Sequence, residues 1–71
     1  MNPYENLANA IVLQAAKDYR SALKRTRHYP HDRDAAIKRA ECERFFRSGW
    51  FGMLTSLDAE ELIRRLQMEV Q

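Results

Sequence analysis

The segment between Pro3 and Pro30 contains no further proline and no glycine, and this constrains the fold more than any other feature of the chain. Pro3 suits the first position of a helix, Asn2 can cap it, and Glu5 stands where a capping box places its carboxylate. Pro30 removes a backbone donor and pushes the preceding residue toward an extended conformation. The sequence therefore predicts a helix over residues 3–28, about 39 Å long.

Apolar side chains recur along this helix at intervals of three and four, so they share one face. A chain of 71 residues buries too little apolar surface for a wide stability margin, and several residues of this face are small enough to let helices approach closely. We therefore expect a homo-oligomer, a dimer or a multiple of one, formed through this face. The face consists of Tyr4, Ala8, Ile11, Ala15, Tyr19 and Ala22, and Leu7, Val12 and Leu23 widen it.

Local signals predict the remaining helices. Asp32 can cap a second helix, Ser48 and Gly49 break it, and Asp58 with Glu61 has the spacing of a capping box. No segment shows sustained period-two alternation, which argues against strands. We expect one all-α domain over residues 1–71, a small bundle of the long N-terminal helix, a medium helix, a short aromatic helical turn and a C-terminal helix. The last three are expected at residues 32–47, 50–54 and 58–70.

Composition and motifs exclude several classes of protein. One cysteine allows no internal disulfide, and 31% charged residues without a long apolar run argue against a membrane-spanning chain. The N-terminal residues lack the basic start and apolar core of a secretory signal. There is no Gly-rich phosphate loop, no His-Glu-x-x-His and no Gly-x-Ser-x-Gly motif. We therefore expect a protein that is not an enzyme, has no catalytic residues and needs no cofactor or metal.

The net charge of +2 conceals a basic central segment. Residues 17–47 carry ten lysines and arginines against five acidic residues. Within this segment Arg20, Lys24 and Arg27 are expected to face away from the apolar stripe of the first helix, where they could attract phosphates or an acidic protein surface. The alternative is an ordinary solvated face whose cations favour the helix dipole.

Four large aromatic residues surround the Ser48–Gly49 break, and we expect at least three of them to form core: Phe45, Phe46, Trp50 and Phe51. The same segment predicts a ligand site. Arg44 and Arg47 lie three residues apart on one helical face, and a Ser48 cap would direct the N–H groups of Trp50 and Phe51 outward. Arg47, Ser48 and Trp50 could then hold an anion such as a nucleotide by stacking and phosphate contacts.

The chain resembles small uncharacterised helical proteins carried by phages and mobile elements of Gram-positive bacteria. The likeness rests on Glu43–Phe51, Leu54-Thr55, Leu57-Asp58 and Leu62–Leu66, and extends to Asn9–Val12 and Lys17–Arg20. It implies a location in the cytoplasm of the bacterial host. It also implies action by binding, since short phage proteins of this kind block host defence proteins, sequester nucleotide immune signals or regulate transcription.

Our leading hypothesis is a binding protein that neutralises a host defence component, either by sequestering a nucleotide signal or by blocking a defence protein. A small DNA-binding regulator is the first alternative and a helical adaptor the second. The regulator fits poorly, because about ten residues separate the second and last helices where a helix-turn-helix has three or four. The last helix also begins with acidic residues where base contacts are normally made.

Overall fold

The computed structural model describes residues 3–70, and this part of the chain is an all-α bundle, as the sequence predicts. No strand occurs within the described range. The helices are α1 (Pro3–His28), α2 (Arg33–Phe46), α3 (Gly49–Leu54) and α4 (Ala59–Val70). Each bound lies within one residue of its prediction.

The predicted caps Asp32, Ser48 and Asp58 explain where α2, α3 and α4 begin. Asp32 accepts a hydrogen bond from the Ala35 amide at 3.1 Å, and Asp58 accepts one from the Glu61 amide at 3.1 Å. Only half of the predicted capping box forms in α4, because the Glu61 carboxylate pairs with two arginines one turn further on, Arg64 and Arg65. The Asn2 cap proposed for α1 lies outside the described residues.

The helices α2 and α4 pack on neighbouring sides of the second half of α1. Lys38 of α2 lies 3.9 Å from Asp18, and α2 runs antiparallel to α1. Glu69 near the end of α4 lies 2.7 Å from Arg20, so α4 runs in the same direction as α1. The short helix α3 lies beside the first turns of α1. The molecule measures 42 × 20 × 20 Å, so the length of α1 sets its long dimension.

Aromatic rings fill the space between the helices. The Phe46 ring packs edge-on against Tyr19 and Phe51, with ring centroids 5.6 and 5.5 Å apart. Phe45 is partly buried and packs edge-on against Phe51. Three of the four aromatic residues at the break therefore belong to the core, as predicted, and Trp50 does not.

The buried face of α1 differs from the stripe predicted from the sequence. Val12 and Leu23, predicted to widen the stripe, are buried as expected, but Tyr4 and Leu7 are 80% and 60% exposed, and Ala16, which was not predicted, is buried. The reason is that α2 and α4 both cover α1, which widens the buried face, whereas α2 does not reach the first turns. Tyr19 and Ala22 are buried within the chain, so these two residues are not available for a contact between two copies. Self-association stays a prediction.

Candidate binding surfaces

The basic residues of α1 border the interface with α4 instead of facing away from it. Arg20 pairs with Glu69 at 2.7 Å, and Arg27 donates to the backbone carbonyl of Val70. Lys24 is exposed and contributes, after the Arg20 hydrogen bond, to a lowered pKa of Glu69. The predicted orientation of Arg20 and Arg27 is wrong because the buried face of α1 extends toward α4. Arg20 is therefore paired with an acidic side chain within the chain, whereas Arg27 has a backbone acceptor and no ion-pair partner among the described residues.

Arg44 and Arg47 have different surroundings. Arg47 donates to both carboxylate oxygens of Glu60 in α4, at 2.6 and 3.2 Å, and lies 3.7 Å from Glu43. The hydrogen bond from Arg47 lowers the pKa of Glu60. Arg44 is exposed and has no hydrogen-bond or ion-pair partner among the described residues. Arg47 thus bridges α2 and α4, while Arg44 is available to a partner.

The Ser48 side chain has hydrogen-bond partners within the chain at the start of α3. Its Oγ accepts a hydrogen bond from the Phe51 amide at 3.3 Å and donates one to the Phe45 carbonyl at 2.6 Å. The prediction that the Phe51 N–H group points outward is therefore wrong, because the Ser48 cap itself uses that donor.

Trp50 is a predicted site residue that the fold leaves exposed, and an exposed apolar side chain lies one turn away. Its side chain is 55% exposed, and Met53, one turn later on α3, is 82% exposed. Met53 and Tyr4 line one shallow depression of about 350 Å³. We call these three residues, Tyr4, Trp50 and Met53, the Trp50 surface. The sequence analysis missed Met53, although its spacing of three from Trp50 indicates a shared face.

A buried polar network, also missed, joins three helices. The Tyr19 hydroxyl donates to Glu43 at 2.7 Å and accepts from Gln67 at 3.1 Å, and Arg39 donates to the same Glu43 oxygen at 3.1 Å. Burial raises the pKa of Tyr19, and its bond to Glu43 raises that pKa further. Burial alone would raise the pKa of Glu43, but the hydrogen bonds from Tyr19 and Arg39 outweigh it and lower that pKa. These hydrogen bonds connect α1, α2 and α4.

An open groove lies between α2 and α4 over the second half of α1, with a volume of about 770 Å³. Leu23 and Thr26 of α1 form its floor. The Arg47–Glu60 ion pair joins α2 to α4 beyond one end, and Pro30 lies at the other. We call this the α2–α4 groove. Its remaining lining residues are Arg27, Ala36, Arg39, Ala40, Glu43, Gln67 and Val70.

The residues with chemical reactivity offer no further site. Cys42 is buried, and burial raises the pKa of its thiol more than the nearby acidic residues do. Residues 3–70 contain no group of three His, Cys, Asp or Glu side chains placed to hold a metal ion. Over the same range, no helix combines the length and the apolar character needed to cross a membrane.

Comparison with known proteins finds no matching family model, no matching curated protein and no matching solved structure.

Proposed function

We propose that this protein is a non-enzymatic binding protein of a phage or mobile element, which neutralises a host defence component by covering a surface of a defence protein. The Trp50 surface makes the contact. The observation that carries the proposal is the exposure of Trp50 and Met53 on α3, next to the exposed Tyr4 of α1. Tryptophan is enriched among the residues that dominate binding energy at protein interfaces.

Protein blocking has more support than nucleotide sequestration. The arginines assigned to phosphate contacts, Arg20, Arg27 and Arg47, have acceptors within the chain. Ser48 likewise uses its oxygen to cap α3. A nucleotide would have to displace these intramolecular partners, whereas a protein surface can contact Trp50 and Met53 without breaking any of them.

The test is a defence assay in a Gram-positive host. Cloned defence systems are co-expressed with the native chain, and phage plaquing measures whether defence is lost. Trp50→Ala should abolish any such effect, and Tyr29→Ala, which removes another exposed aromatic ring, should retain it. Circular dichroism checks that both variants stay folded. Equal activity of the two variants would remove Trp50 from the contact.

Two biochemical measurements separate the other hypotheses. A nucleotide released from the purified, denatured protein would favour the sequestration of a signal. Binding to duplex DNA that weakens steeply with salt would favour a transcriptional regulator. Either result would overturn the proposal of protein blocking.

A further inference from the structure

The α2–α4 groove is a second surface, separate from the Trp50 surface, and it has the shape of a helix-docking site. Two small residues one turn apart on α2, Ala36 and Ala40, are exposed and line one side. Gln67 and Val70 of α4 line the other side. Small side chains at matched spacing let a second helix approach closely. The groove is open along its length, which suits a helical segment better than an enclosed small molecule.

The charges around the groove select the chemistry of the occupant. Arg33, Ala36, Ala40 and Arg44 follow one another at spacings of three and four, so an arginine stands at each end of the small-residue stripe. Arg33 and Arg44 are both exposed and have no hydrogen-bond or ion-pair partner among the described residues.

The residues that line the groove also carry more positive than negative charge. Arg39 donates through Nε to Glu43, and its side chain stays 43% exposed at the edge of the groove. Glu43 is the one acid among the described residues that line the groove, and Tyr19 and Arg39 already bind it. The groove is therefore basic toward an incoming segment.

A second copy of this chain fits this surface poorly. If two copies met through the outward face of α2 in antiparallel orientation, Arg33 of one copy would face Arg44 of the other. Opposed like charges of this kind disfavour association. A partner with carboxylates at those positions would be attracted to Arg33 and Arg44, whereas a second copy would be repelled.

We propose that the α2–α4 groove binds an acidic amphipathic helix of a different protein. The apolar face of that helix packs on Ala36 and Ala40, and its Asp or Glu side chains pair with Arg33, Arg39 and Arg44. This inference does not depend on the role of the Trp50 surface, which lies toward the start of α1, whereas the groove covers its second half.

Two synthetic helical peptides of equal length test the inference. Both carry Leu and Ala along one face; the first has Glu at the flanking positions and the second has Lys. Each is titrated into the ¹⁵N-labelled full chain. The acidic peptide should shift the amide signals of Ala36, Ala40 and Gln67, and the lysine peptide should bind at least about tenfold more weakly. Equal binding of the two peptides, or no shift even at millimolar acidic peptide, would overturn the proposal.

Matched variants locate the contact. Ala40→Glu puts a carboxylate into the groove and should weaken the acidic peptide at least about tenfold while improving binding of the lysine peptide. Ala10→Glu makes the same change on the exposed side of α1 and should leave both affinities unchanged. Trp50→Ala should also leave them unchanged. If Ala10→Glu weakens the acidic peptide as much as Ala40→Glu does, the groove does not select an acidic helix. The same conclusion follows if a short DNA duplex binds the groove residues more tightly than the acidic peptide does.

Discussion

The hydroxyl group of Tyr19 donates a 2.7 Å hydrogen bond to Oε2 of Glu43, which ties the buried face of α1 to the polar side of α2. Gln67 of α4 donates to the same hydroxyl group at 3.1 Å, so one side chain connects all three long helices. A buried hydroxyl that both donates and accepts restricts how the helices pack, because any rotation of α2 or α4 leaves a buried polar group unpaired.

Replacing Tyr19 by phenylalanine should lower the free energy of unfolding by about 1.5–3 kcal/mol, because a hydrogen bond to a charged carboxylate is lost. Urea denaturation followed by circular dichroism measures the change. Tyr29→Phe is the control, since Tyr29 is 62% exposed and its change should stay within about 0.5 kcal/mol. Similar losses in the two variants would mean that the Tyr19 hydroxyl does not hold the bundle together.

Acid should destabilise the protein through Glu43. Its pKa in the folded chain lies below the ordinary value of 4.5, so folding is favoured by the charged form. This contribution is complete above the ordinary pKa and is lost as the pH falls below about 5 and through the lowered pKa. Glu43→Gln should therefore flatten the decline of the melting temperature in that range. Glu41→Gln, an exposed change on the same helix, should leave the slope intact.

The helix bounds could be predicted because the signals that set them are local. The capping oxygens of Asp32, Ser48 and Asp58 bind amides three residues further along the chain. Because the two groups of each cap are only three residues apart, the pattern can be recognised from the sequence. The aromatic core near the α2–α3 break was predictable for a similar reason, since few other large apolar side chains were present to fill the space.

The functional surfaces were less predictable because they depend on contacts between distant residues. Arg47 was assigned to a ligand, yet its bidentate partner Glu60 lies thirteen residues away on another helix. Tyr19 and Glu43 are separated by 24 residues. Which side chains pair depends on how each helix is rotated about its own axis. That rotation is set by the packing of α2 and α4 against α1. The sequence analysis expected at least three of the four aromatic residues at the break in the core, and Trp50 is the one that the packing leaves exposed.

Replacing Gly52 by alanine should stabilise the protein. Gly52 lies within α3, no glycine in the described chain has positive φ, and an added Cβ at this position meets no atom within 4 Å. Alanine restricts the unfolded chain without strain in the folded one, which is worth about 0.4–1 kcal/mol. Thermal unfolding measures the gain, and Gly49→Ala at the first position of α3 should give a smaller one. A loss of stability in Gly52→Ala would contradict the helical conformation of α3.

Exchanging the charges of Arg47 and Glu60 should show that their ion pair positions α4. Arg47→Glu and Glu60→Arg should each lower the melting temperature, because each places like charges where Arg47 now donates two hydrogen bonds. The double variant should recover most of the melting temperature that Glu60→Arg loses. It should not recover all of it, because Glu43 lies 3.7 Å from Arg47 and would face a second carboxylate in the double variant. Both side chains are substantially exposed, so high salt should shrink all of these differences. If the losses of melting temperature in the two single variants simply add in the double variant, the ion pair does not position α4. Arg47 would then be available to bind a ligand, as its position beside Ser48 and Trp50 in the sequence predicted.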